Sequence, residues 1–112
     1  MKLIYVCSPY RGETKKQRKR NVRNARRYCR LVIRQGGIPF APHLLFTQFL
    51  DDDNPRHRRL GLEMGIVMLE RCDELWVFGK PSAGMSAGIT YAMEYGLPIL
   101  WHDAEGRCVS DE

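Results

Sequence analysis

The chain lacks any long apolar run. Nothing in its 112 residues approaches the roughly 18 consecutive apolar side chains that a membrane-spanning helix needs. The N-terminus reads as a strand rather than a signal peptide, and the expectation is a cytoplasmic protein. Paired metal ligands are missing too. Cys7, Cys29, Cys72 and Cys108 stand far apart with no Cys-x-x-Cys, and the histidines are unpaired, so neither a disulfide framework nor a zinc site is indicated. There is no internal repeat and no Gly-x-Gly-x-x-Gly. The Gly79-Lys80 pair is followed by proline and lacks the upstream glycine of a phosphate-binding Walker loop. No metal and no cofactor are expected.

Acid is scarce in one segment. The chain carries 18 basic and 13 acidic residues, a formal charge of +5, yet Arg11 to Arg34 holds 11 basic residues against Glu13 alone. The remainder is net acidic, so the charge divides into a basic helix and an acidic body. A stripe of Lys and Arg can neutralise nucleic-acid phosphates, and Arg23, Arg26 and Arg30 are the candidates for that contact. The cations are expected to point several ways, however, and no recognition-helix or RNA-binding aromatic signature accompanies them. A solvated face or a contact with an acidic subunit surface is the preferred reading. With 44% apolar residues the composition is that of one small folded domain, which self-association would help to stabilise.

The apolar pattern alternates strand and helix. Lys2 to Cys7 is a buried-strand run that opens into Ser8-Pro9-Tyr10-Arg11-Gly12. From Thr14 to Arg34, Val22, Ala25, Cys29 and Val32 recur at helical spacing, and Gly36-Gly37 ends the helix. Ile38 to Ala41 reads as a second strand, and Leu44 to Leu50 as a short helical piece after Pro42-His43. Asn54-Pro55 starts a helix that should reach about Cys72 with Leu60, Met64, Val67 and Met68 inward. Asp73 to Phe78 is a third strand, and Gly79 to Gly84 a tight turn into a helix from Met85 to Tyr95. Leu97 to Trp101 is a fourth strand. The domain is expected over residues 1–102, with 103–112 a polar tail. Such alternation predicts an α/β fold with a parallel sheet covered on both faces, in the order 2-1-3-4. The winding then reverses between the first and third strands, and a ligand crevice opens outside their carboxyl ends.

Two loops line that crevice. Ser82, Gly84 and Ser86 sit where unpaired backbone N–H groups and the positive helix end favour a phosphate, although an ordinary serine-capped turn has the same composition. Tyr10 and Arg11 add an aromatic platform and a cation, so the pair of loops suits a nucleotide. His43, at the exit of the second strand, could face the same space, and capping or packing is its plainer reading. Asp51-Asp52-Asp53 reads as a turn before a helix rather than a magnesium site.

The motifs Tyr5-Val6-Cys7-Ser8-Pro9-Tyr10-Arg11-Gly12, Asn21 with Ala25, Pro39 to His43, Cys72 to Gly79 and Ser82-x-Gly84-Met85 together resemble the nucleoside 2-deoxyribosyltransferase-like superfamily. The likeness is closest to its small bacterial and phage branch and spans roughly Met1 to Trp101. It implies a flavodoxin-like, Rossmann-like three-layer sandwich, a homodimer or higher homo-oligomer, and cleavage or transfer of the N-glycosidic bond of deoxynucleosides or their 5′-monophosphates. By the same resemblance Ser8, Tyr10, Arg11 and Gly12 hold sugar and base. Ser82 and Gly84, with Met85 beside them, contact phosphate or sugar, and Asp73 is a recurrent acid of the site.

One residue departs from that pattern. Where the family places a nucleophilic glutamate, four positions after the glycine of Ser-x-Gly, this chain has Gly88. Glycine can neither stabilise nor trap an oxocarbenium-like sugar, so the family's chemistry should be absent or severely reduced. A functional substitution and a close backbone approach both remain open as reasons for a mid-helix glycine. Glu94 lies too far along its helix to substitute, and Glu63 reads as part of a solvated face. The expectations are therefore a nucleotide-binding protein with impaired catalysis or, alternatively, a nucleotide sensor or a basic nucleic-acid-binding protein.

Overall fold

The computed structural model describes residues 1–111. Five strands form one sheet in the order β2-β1-β3-β4-β5, from β1 (Leu3–Cys7), β2 (Ile38–Phe40), β3 (Glu74–Phe78), β4 (Ile99–His102) and β5 (Cys108–Asp111). The first four run parallel, with Ile4 opposite Glu74 and Leu75 opposite Ile99, and β5 returns antiparallel along β4. Helix α1 (Lys15–Arg34) lies on one face. On the other lie α3 (Pro55–Leu69) and α4 (Ala83–Tyr95), while the short α2 (Pro42–Leu45) and a 3-10 turn at Phe46–Gln48 lead out of β2. This is the three-layer α/β arrangement and strand order that the alternation implies, with an added fifth strand. Among the described residues no helix is long and apolar enough to cross a membrane.

Strand alternation divides the core in two. Ile4, Val6, Trp76 and Phe78 face α1 and pack on Tyr28 and Val32, whereas Tyr5, Cys7, Leu75 and Val77 face Leu69, Met85 and Ile89. The Tyr28 ring stacks on Phe78 with centroids 4.1 Å apart, and its hydroxyl donates to the Ala104 carbonyl at 2.7 Å. Tyr28 is thus buried where the periodicity favours its neighbour Cys29, which is only half-buried.

The expected inward face of α3 is rotated. Leu60 and Val67 are 44% and 49% exposed, and the buried positions are Gly65 and Leu69. The cause is a close approach: a Cβ at Gly65 would lie 3.1 Å from the Tyr5 hydroxyl, so the helix meets the sheet along its glycine side rather than along its apolar ridge. The helix also ends at Leu69, three residues before Cys72. The segment expected as a polar tail contributes β5, reached through a turn in which Asp103 Oδ1 accepts the N–H groups of Glu105 and Arg107.

Candidate functional site

Reversal of winding between β1 and β3 leaves a cavity of about 430 Å³ beyond their carboxyl ends. Ser8, Tyr10, Arg11 and Gly12 line it on one side and Ser82, Gly84 and Met85 on the other, and so do His43 and Gly88, whereas Ser86 is exposed outside it with its hydroxyl donating to the Ser82 carbonyl at 3.1 Å. Asp73 does not. It stands at the amino end of β3, exposed, with Oδ2 accepting the Leu3 N–H at 2.7 Å. The cavity is at the opposite end of a five-residue strand, about 16 Å away. Asp73 therefore ties β1 to the start of β3 and has no access to a ligand in this space.

The β1 loop is held from α1. Thr14 caps the helix by accepting the Gln17 N–H at 3.1 Å, and one turn further on Asn21 Nδ2 donates to the Tyr10 carbonyl at 3.0 Å. Gly12 makes the turn at φ +66, where a Cβ would sit 2.7 Å from Gln17 Cβ, so only glycine fits. Ser8 is buried, and its hydroxyl shares a 3.0 Å hydrogen bond with His43 Nε2. Removal from water pushes the His43 pKa down to about 4, against the pull of the Asp52 carboxylate, so the imidazole is neutral at physiological pH. Burial likewise pushes the Cys7 thiol up to about 12, which makes it an inert wall of the cavity and not a nucleophile.

Arg11 lines the cavity with its charge already matched. Its Nη1 pairs with Asp52, donating also to that residue's carbonyl at 2.9 Å, and its Nη2 reaches Asp53 at 3.2 Å. The hydrogen bond to Asp52 holds the guanidinium pKa above its ordinary value. The acidic turn thus clamps the β1 loop, while Asp51 Oδ1 accepts the Asp53 N–H and Asn54 caps α3. Asp52 is the single carboxylate in the lining among the described residues. Glu63 and Glu94 are exposed and outside it.

Gly88 sits half-buried on the cavity side of α4, and a Cβ built there meets no atom within 4 Å. A close backbone approach is therefore not the reason for this glycine. The position opens into the cavity and has room for a longer side chain.

Several lining residues carry no motif in the sequence. Phe46, Thr47, Arg58, Gly61 and Ile66 close the cavity from the segment between β2 and β3. Thr47 is placed by its hydroxyl donating to the His43 carbonyl at 2.7 Å. A second, shallower groove adjoins the cavity at Tyr10, running along α1 past Arg23 and Arg26 but not Arg30.

Comparison with known proteins bears on the fold. A 2-deoxyribosyltransferase from the psychrotolerant bacterium Bacillus psychrosaccharolyticus superposes with a TM-score of 0.67 over 96% of this chain and 77% of its own, at 15% identity. At that identity the likeness speaks for shared architecture. No curated protein matches the sequence significantly. The sequence profile of a family described as "Domain of unknown function (DUF7768)" matches residues 2–102, and the chain belongs to that family.

Proposed function

We propose that the cavity binds a deoxynucleoside or its 5′-monophosphate, and that N-glycosidic cleavage or transfer is impaired because Gly88 stands where a nucleophilic carboxylate would act. The observation that carries this reading is the open space at Gly88, on a cavity wall whose single carboxylate, Asp52, is engaged by Arg11. Around it are the parts a nucleotide needs. Ser82 to Gly84 open α4, whose amino end favours a phosphate. The Tyr10 ring, edge-on to His43 with centroids 5.9 Å apart, offers a face for a base. Ser8 and His43 offer neutral hydrogen-bonding groups for sugar hydroxyls.

Displacing a base from deoxyribose develops positive charge at the anomeric carbon, and a carboxylate in contact with that carbon stabilises the charge and can trap the sugar. Without one, the bound nucleotide persists. The likeness to a 2-deoxyribosyltransferase supports the substrate class. The test is calorimetric titration with a panel of deoxynucleosides and their monophosphates, together with base release by the protein and by Gly88→Glu. Binding by both, with base release at least about tenfold faster in Gly88→Glu, is the expected result. If neither form binds nor cleaves any member of the panel, the reading fails.

A further inference from the structure

Five cations of α1 line one groove. Lys15, Arg18, Lys19, Arg23 and Arg26 follow the three- and four-residue steps of a single helix face, with Val22 at the centre of the stripe. Of these five only Arg18 has an acidic partner, Asp53 at 3.4 Å, and among the described residues Lys15, Lys19, Arg23 and Arg26 have none. The groove is continuous with the cavity through Tyr10, which lines both, and the Arg18 guanidinium sits 5.4 Å over that ring. Arg26 lies eleven positions after Lys15, about 16 Å along the axis. That length matches about four to five phosphates of a stacked single strand at roughly 3.4 Å each.

We propose that the groove holds the phosphate backbone of a single-stranded nucleic acid whose terminal nucleotide enters the cavity. The inference rests on the nucleotide reading of the cavity and extends it from a mononucleotide to a strand end. A cationic track beside an aromatic ring is the combination that single-stranded nucleic acids recognise, phosphates on the cations and a base on the ring. An acidic peptide would satisfy the cations but has nothing to place on Tyr10 or in a nucleotide-sized cavity. A duplex cannot lead a paired terminal nucleotide through Tyr10 without opening.

Fluorescence anisotropy of labelled oligodeoxythymidylates, from two to ten nucleotides, tests this against thymidine monophosphate measured by calorimetry. Affinity should rise from the mononucleotide to about five nucleotides and then level off. Four released counterions predict a loss of about 50-fold between about 50 and 200 mM salt for the pentamer. The triple variant Lys19→Glu, Arg23→Glu, Arg26→Glu, none of whose residues lines the cavity, should lose at least about tenfold for the pentamer and flatten the salt slope while still taking up the monophosphate. Polyglutamate competing as well as the oligonucleotide would overturn the proposal, as would a pentamer that binds no tighter than the monophosphate. An oligonucleotide that binds with this slope while no mononucleotide is taken up would overturn the cavity reading and, with it, the strand-end geometry.

Discussion

At the scale of single residues, the His43 environment sets a pH dependence. The imidazole is neutral in the fold with a pKa near 4, whereas an unfolded chain protonates it near 6.5. Between those values the unfolded state binds more protons, so stability is complete above about pH 6.5 and falls as the pH drops toward 4. At pH 4.5 the loss from this group is about 2 to 3 kcal/mol relative to pH 7. Urea denaturation of the protein and of His43→Asn at both pH values checks it, because the variant should lose that increment of pH sensitivity. Glycines make a second contrast. Gly88→Ala should stabilise the protein by about 0.5 to 1 kcal/mol, since its helical backbone has open space beside it. Gly37→Ala should destabilise by about 1 to 3 kcal/mol, because its Cβ would meet Ile4 and Val32 carbons at 3.0 Å. Thermal unfolding of both variants separates the two signs. The loop residues of the cavity were legible because short polar motifs follow strands, where an open parallel sheet directs them to one crevice. Phe46, Thr47 and Ile66 were not, because their place depends on how α2 and α3 fold back, which no local pattern encodes. Asp73 illustrates the converse: an acid beside a strand is legible, but which end of the strand carries the ligand decides its role.

At the scale of elements, the ends of α1 are legible to within a residue because cap and stop signals bracket a clear amphipathic stripe. The phase of α3 departs from its apolar pattern because Leu60 and Val67 lie on a side of the helix that the glycine-lined contact leaves exposed. The charge of α1 also has an energetic consequence at its amino end. Its first turn contains no acid and begins Lys15-Lys16, so positive charges face the positive end of the helix dipole. Lys16→Glu, outside both the cavity and the groove, should stabilise the protein by about 0.5 kcal/mol at low salt and by less near 1 M salt, where the interaction is screened. Denaturation at the two salt concentrations measures it.

For the molecule as a whole, the question is where the folded unit ends. The family profile stops at residue 102, at the end of β4. The segment beyond it is nevertheless built into the structure. Ala104 accepts the Tyr28 hydroxyl and Arg27 Nη2, Asp103 closes the turn with Arg107, and β5 pairs with β4 from Leu100 opposite Asp111 to His102 opposite Cys108. Its strand was not legible because Cys108 to Asp111 has little apolar alternation of its own, and pairing with β4 supplies what its sequence does not. Removing residues 103–112 would leave the Tyr28 hydroxyl without the carbonyl it donates to and strip β4 of its outer partner. Exchanging that hydrogen bond for one to water costs about 0.5 to 1.5 kcal/mol, and lost strand pairing adds to that. The truncated chain should therefore be about 2 to 4 kcal/mol less stable, which lowers the melting midpoint of a domain this size by about 10 to 25 °C. Tyr28→Phe in the full chain removes the hydrogen bond and keeps the ring stack on Phe78, so it should account for no more than about 1.5 kcal/mol of the loss. If truncation costs no more than Tyr28→Phe, β5 contributes nothing to the sheet and the unit ends at β4. If it costs the larger amount, the antiparallel edge is an integral part of the domain that positions the cavity.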